Sequence, residues 1–305
     1  GWLGAWPASA ATAIHTIHVS QRYGFGRTLI RAEEQGVAAL GWVVAASDVI
    51  VALESALTQV GIPYRERTKV GAGDTAKFAL TAYAEGAVDS DAGKRRDYGQ
   101  HAVLCNVETA APHRNVAWER FTGEGPLALL PLGDRYSVVL TCKDEILEWV
   151  RGLDDDEFLV LLQRRFGSRH RFLAATPRVA YPLGLRYRPN PVGARQVWLG
   201  NAAQTLHPVA GQGFNLALRD IWELATTLGD ADDPGAPELL ATYARGRVAD
   251  RNGAIAFTDL LIHGFGNEIG PLRTLRGAGL LAMDMLPPLR GFVARRMIFG
   301  ARAWP

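Results

Sequence analysis

The chain has 305 residues, 48% hydrophobic and 21% charged, an ordinary balance for a globular protein with a sizeable core. Lys and Arg number 33 and Asp and Glu 31, so the net charge is +2, and no basic field argues for nucleic acid as a partner. The two cysteines, Cys105 and Cys142, lie in strand-like runs. They are expected to be buried thiols of a reducing compartment, not a disulfide framework or a metal site.

The first 20 residues lack a basic segment followed by an apolar core, so no signal peptide is expected there. No window reaches about 18 uncharged apolar residues, the length a spanning helix needs. A start at Gly1 inside ordinary sequence leads us to expect a fragment. Residues 14–19 predict a strand. His15 and His18 within it are three apart, which on a strand sends them to opposite faces and disfavours a shared metal. Residues 47–60 predict a helix capped by Ser47 or Asp48 and closed by Gly61.

Gly71, Gly73 and Ala76 fit a G-x-G-x-x-A dinucleotide fingerprint. Residues 77–86 that follow are strand-like, whereas the fingerprint opens a helix, so a hairpin turn is expected instead. Further strands are predicted at 101–109, 116–133 and 135–142, rich in β-branched and aromatic residues, as in a mostly antiparallel sheet. Residues 143–153 and 154–167 predict two short helices. The acidic run Asp154 to Glu157 sits where the second helix dipole favours negative charge. Strands are expected again at 178–189 and 196–200. From Gly211 onward the pattern is helical, broken near 229–237, 264–271 and 287–288.

Residues 197–220 form a strand, a corner dense in glycine and proline, and a helix start. Phe214, Ala217 or Leu218, Ile221, Leu224 or Ala225, and Leu228 recur at helical spacing and predict one buried face. Gly211 and Gly213 are poor helix formers whose natural use is to let something approach the backbone. The free N–H groups and the dipole of a helix start suit negative charge or carbonyl oxygens. The same spacing also suits glycines that only permit close helix–sheet packing.

Gly200, Asn201, Ala202, Ala203, Pro208, Gly211, Gly213, Asn215 and Asp220 follow a longer pattern. It resembles the second flavin-binding motif of FAD-dependent aromatic hydroxylases: Gly-Asp-Ala-Ala, a short stretch, Pro, Gly-x-Gly, Asn and a later Asp. Together with residues 14–20 and 121–134, it is most similar to the 2-polyprenyl-6-methoxyphenol hydroxylases of ubiquinone biosynthesis. The resemblance covers the chain from about residue 14 onward.

It implies an α/β, mixed α+β, aromatic-hydroxylase fold. Residues 1–60, 77–86 and 196–260 would be the remainder of an FAD-binding domain, 87–195 a mostly antiparallel substrate domain, and 261–305 a helical tail. The first dinucleotide fingerprint would lie ahead of Gly1. It implies FAD as cofactor, NAD(P)H as electron donor, O₂ as co-substrate and a flavin hydroperoxide that oxidises the ring of a polyprenyl phenol. Asn201 would meet the ribityl or phosphate part, and Pro208, Gly211, Gln212, Gly213, Phe214 and Asn215 the flavin ring edge, with Gly200 and Ala202 in the preceding turn. Glu85-Gly86 stands where the family has Asp-Gly. His207 is either a packed histidine or a group orienting the phenol. Phe121, Leu129 and Pro131 are candidates for the substrate side.

The C-terminal stretch carries Arg273, Arg276, Arg290, Arg295, Arg296 and Arg302 among apolar residues. It suits either an anionic membrane surface or a helix packed on the protein with a basic outer face. A polyprenyl substrate favours the first. The expected location is cytoplasmic, peripheral on the inner face of the cytoplasmic membrane, with ubiquinone-biosynthesis complex proteins as partners. A non-catalytic relative that binds lipid or proteins, and a hydroxylase of a soluble aromatic, remain alternatives.

Overall fold

A computed structural model describes residues 11–68, 70–71, 75–84, 86, 88, 93–265 and 270–300. They form two compact units. The first takes residues from 1–67, 101–181 and 264–299, and the second from 68–100, 182–263 and 300–305.

In chain order the early elements are β1 (Ala11–Ile14), β2 (Thr16–Gln21), β3 (Arg27–Arg31), β4 (Gly41–Val44), α1 (Ala46–Val60) and β5 (Thr81–Tyr83). Then come β6 (Lys94–Thr109), β7 (Val116–Thr122), β8 (Gly125–Leu132), β9 (Arg135–Lys143), α2 (Asp144–Gly152), α3 (Asp155–Phe166) and β10 (Phe172–Ala175). The last group is β11 (Val179–Tyr187), β12 (Val192–Gly193), β13 (Gln196–Trp198), β14 (Gln204–Thr205), α4 (Gln212–Leu228), α5 (Pro237–Phe265), α6 (Gly270–Met285) and α7 (Pro287–Phe299).

The first unit is built on the sheet β3-β2-β7-β8-β9-β6, with β10 on β6. β2 and β3, β7 and β8, and β8 and β9 pair antiparallel, whereas β2 and β7 run parallel from Thr16↔Val116 to Gln21↔Phe121. Strand alternation sends Leu127 and Leu129 of β8 and Val138 and Leu140 of β9 to one face. There they bury against Leu147 and Val150 of α2 and Phe158, Leu162 and Phe166 of α3. Cys105 and Cys142 lie in this core as free thiols, and burial pushes Cys105 up to about 12.

Residues 11–67 group with 101–181 and not with 196–260, contrary to the domain expectation, because β2 hydrogen-bonds along β7. The segment 264–299 belongs to this first unit as well. Arg290 is buried there, bonded to Glu34 Oε2 and to the carbonyls of Met283 and Asp284, so it is no part of an outer basic face.

Two helix boundaries show what patterning captures. The α1 helix ends at Gly61 with φ 71° as expected, but Ala45 occupies its N-cap with no side-chain bond. Ser47 and Asp48 fall inside the first turn and bond to each other. At α3 the acidic run forms a capping box: Asp154 accepts from the Glu157 N–H at 2.8 Å, and Glu157 accepts from the Asp154 N–H at 3.0 Å. Asp154→Ala is therefore expected to cost about 1 kcal/mol. Asp156→Ala, at an exposed position outside the box, should cost under about 0.5 kcal/mol. Urea unfolding of both variants checks this.

In the second unit β12 and β13 form a hairpin, and β13 runs parallel to β5 through Gln196↔Thr81, Val197↔Ala82 and Trp198↔Tyr83. Beyond Thr75 the chain runs through turns and bends and becomes a strand only at Thr81–Tyr83, not over the whole of 77–86, and no helix of the kind a dinucleotide fingerprint opens follows among the described residues; Gly73 itself lies outside them. Val197 and Leu199 bury against Leu224 of α4 and Tyr243 of α5. Leu185, Leu206 and Leu216 form a second apolar contact in this unit, with Tyr98 and Ile255 packed on it.

Candidate functional site

The corner starts at the end of β13. Trp198 stacks on Tyr83 with ring centroids 5.2 Å apart, and the Arg188 guanidinium lies 4.2 Å from the Trp198 ring. The Leu199 N–H then bonds to the Tyr83 carbonyl. Gly200 follows with φ 53°, and a Cβ added to it would stand 3.1 Å from Ala217 Cβ on α4. Both the left-handed backbone and the close helix approach therefore require glycine here.

What holds strand corner and helix together is Asp220, eight residues into α4 and fully buried. Its Oδ2 accepts from the Gly200 N–H at 3.0 Å and from Gln204 Nε2 at 2.6 Å. Its Oδ1 accepts from Arg247 Nε of α5 at 2.7 Å. The network extends outward: Arg247 Nη1 bonds to Asp250, and Arg251 Nε bonds to Gln204 Oε1. Arg251 Nη2 bonds to the Arg188 carbonyl at 2.6 Å. All five side chains are buried, and a buried charge is tolerated only when paired and hydrogen-bonded in this way.

This brace resets the buried face of α4. The interior residues are Gln212, Leu216, Asp220 and Leu224, one every four positions. Phe214 is 56% exposed and Ile221 52%, so the expected stripe through these two is wrong. A charged residue in mid-stripe displaced the apolar pattern from the true one.

The mouth of α4 is bare. Pro208 opens a tight turn closed by the Gly211 N–H on its carbonyl at 2.8 Å, and Gly211 then takes φ 61° as N-cap, with no side chain capping the helix. A Cβ added at Gly211 or Gly213 would meet nothing within 4 Å. Gly211 is needed for its backbone; Gly213 has no such need, so its missing side chain only keeps space open. Asn201, Pro208, Gly211, Phe214 and Asn215 are exposed around this mouth, while Gly200, Ala202 and Gln212 are buried beneath it. Gly86 is exposed with φ 75°, and Glu85 lies outside the described residues.

His207 is 1% exposed. Its Nδ1 accepts from the Val209 N–H at 3.1 Å, and Tyr98 meets its ring edge-on with centroids 5.8 Å apart. Burial pushes its pKa down to about 4, so near neutrality the ring is uncharged and carries its proton on Nε2. That Nε2 has no partner among the described residues. The corner therefore contains a buried, fixed hydrogen-bond donor awaiting an acceptor, beside an uncapped helix start. These features fit an acceptor-rich planar cofactor such as a flavin.

The other candidates lie in the first unit. Leu129 is fully buried in its helix-covered core, opposite Trp118 in register, and Pro131 two residues on shares that face. Phe121, three residues from Trp118, points to the other face. Leu129 and Phe121 thus cannot line one cleft. No group of three or more His, Cys, Asp or Glu that could hold a metal occurs among the described residues. Gln204, Arg247, Asp250 and Arg251 escaped sequence reasoning. Their signal was the i, i+3, i+4 spacing of Arg247, Asp250 and Arg251, which marks one helix face but not its burial.

Three outcomes follow from this geometry. Asp220→Asn leaves Arg247 buried without its carboxylate and is expected to cost about 3–5 kcal/mol in urea unfolding. Gly213→Ala lies in a helix turn with open space, so stability should stay level or rise by up to about 1 kcal/mol. For His207 the folded pKa is below the unfolded one, so the unfolded chain binds the extra proton. Stability then falls as pH drops from about 6.5 to about 4, with a slope near 1.4 kcal/mol per pH unit for this group. His207→Phe should flatten that acid-side slope in pH-dependent unfolding; an unchanged slope contradicts the assignment.

Comparison with known proteins fits this geometry. The chain is 38% identical over 204 residues to the ubiquinone hydroxylase UbiL of Rhodospirillum rubrum, covering 65% of this chain and 48% of that protein. It is 31% identical over 192 residues to the 3-demethoxyubiquinol 3-hydroxylase of Escherichia coli, covering 61% and 49%. The chain thus spans about half the length of the curated relatives it matches. Among solved structures, the flavin-dependent brominase Bmp2 superposes with a TM-score of 0.68 at 16% identity, over 98% of this chain and 80% of that one, which shows a shared fold. A family model described as FAD binding domain matches residues 87–258, more than half of the chain and the whole of the corner. With its glycine-opened helix and braced turn inside that match, the chain belongs to the FAD-binding domain family.

Proposed function

We propose that the chain carries the second flavin-binding motif of an FAD-dependent monooxygenase that hydroxylates the ring of a polyprenyl phenol in ubiquinone biosynthesis. The observation that carries this is the bare mouth of α4, where Gly211 and Gly213 leave open space before an uncapped helix start. The likeness to hydroxylases of ubiquinone biosynthesis supports the substrate class.

When bound, FAD supplies O₂ activation, with NAD(P)H as electron source. The residues of this chain supply binding and electrostatics. The backbone from Pro208 to Phe214 would hold the ring edge, and the partial positive charge at the start of α4 favours negative charge collecting there. Asn201, exposed on the turn, would hydrogen-bond the ribityl or phosphate part; its amide both donates and accepts. His207, held neutral by burial, offers a fixed Nε2–H and does not act as a solvent-facing base.

Contact with a membrane surface is supported by the exposed Leu275 and Met285 of α6, Leu286 after it and Phe292 of α7, with Arg273 and Arg295 also exposed. No helix of the described residues is long and apolar enough to cross a membrane.

The protein carrying this chain, supplied with FAD, NADPH, O₂ and a short-chain polyprenyl phenol, is expected to yield a product one oxygen atom heavier by mass spectrometry. Gly213→Val should lower FAD affinity at least about 10-fold, the equivalent of about 1.4 kcal/mol. FAD binding without a hydroxylated phenol would overturn the substrate assignment, and no FAD binding would overturn the site.

A further inference from the structure

The first unit holds a group of cations with no use in the flavin site. On β2, His18 and Ser20 point to the helix-covered face of the sheet, and both are buried. Arg120 of β7 stands directly across from Ser20 and donates from Nη1 to its Oγ at 3.3 Å. Arg169, in the turn between α3 and β10, donates from Nη1 to His18 Nε2 at 3.3 Å. The Arg120 guanidinium lies 6.0 Å from the Phe166 ring and that of Arg169 5.6 Å from the Trp118 ring.

The hydrogen-bond accounting of this cluster does not close. His18 Nε2 accepts from Arg169, so the ring proton sits on Nδ1, which is buried without a partner. Arg120 Nε is likewise buried and unpartnered. Neither guanidinium pairs with a carboxylate among the described residues. Glu124 is held low against the opposing effect of burial by its hydrogen bond with Thr122 and by Arg165 and Arg22. Burial and then Arg169 and Arg27 push His18 down to about 4, so it stays neutral. Arg120 is half-buried and Arg169 exposed; the two buried N–H donors, His18 Nδ1 and Arg120 Nε, are costly unless an acceptor meets them. Two guanidiniums, the His18 ring and the Ser20 hydroxyl, linked by these bonds on one face of the sheet, match the several oxygens of a tetrahedral anion better than one planar carboxylate.

We propose that Arg120, Arg169, His18 and Ser20 bind a phosphate group of a small molecule, distinct from the flavin corner. Ser20 takes either role of its hydroxyl, and Arg120 and Arg169 supply the charge. The flavin reading plays no part in this argument.

The test is thermal unfolding of the full chain in a non-phosphate buffer, titrated with inorganic phosphate, adenosine 2′-monophosphate, or adenosine alone. Saturable stabilisation of several degrees by phosphate or the nucleotide is expected, with none from adenosine. A tighter response to the nucleotide assigns the phosphate to a nucleotide, and an equal response assigns it to free phosphate. Arg169→Gln, at an exposed position, is expected to keep the fold and weaken the apparent affinity at least about 10-fold. Arg120→Gln should abolish the response. A chemical-shift change at the His18 imidazole nitrogens on adding phosphate is a second readout. No saturable response in the wild-type chain, or an equal response in Arg169→Gln, overturns the proposal.

Discussion

The carboxylate of Asp220 is the contact on which the second unit depends. One side chain joins the turn after β13 through Gly200, the strand β14 through Gln204, and the helix α5 through Arg247. Replacing such a cluster with apolar residues would not obviously weaken a protein, since burying charges costs nearly what pairing returns. Its value lies in position: every partner has one place to stand. A Cβ at Gly200 would stand only 3.1 Å from Ala217 Cβ, so the close approach of α4 to the turn depends on the missing side chain.

That rigidity is what lets the start of α4 stay bare. A helix with a glycine N-cap, no side-chain cap and a second glycine in its first turn is locally weak. Here the helix is held from its third turn, by Asp220 and by Leu216 and Leu224 in their apolar contacts, and the mouth can be left to a ligand. His207 extends the same logic. Its position is set by the Val209 amide and the Tyr98 ring, and the remaining nitrogen is left unmatched. The match to the FAD binding domain family spans this corner.

Much of this was legible in the residues. The glycines of the corner, the strand before it and the helix after it were set by spacing alone, and the acidic start of α3 announced its capping box. The burial of Cys105 and Cys142 followed from their place in strand-like runs. Other features were not legible, for physical reasons. The α4 stripe was misplaced because Asp220 looks polar in sequence yet is fully buried once Arg247, 27 residues away, reaches it. Residues 1–60 were expected to share a domain with the corner, but a parallel pairing of β2 with β7 across about a hundred residues leaves no local pattern. Leu129 looked like a cleft residue because strand sequence shows alternation without saying which face is covered.

The central claim is that the amides opening α4 hold the edge of a flavin. Hydrogen–deuterium exchange of the protein carrying this chain, with and without FAD, measures those amides directly. The account predicts slowed exchange at residues 211–215 on FAD addition, with the Asp220-braced segment unchanged. FAD bound with no protection at 211–215 would contradict it.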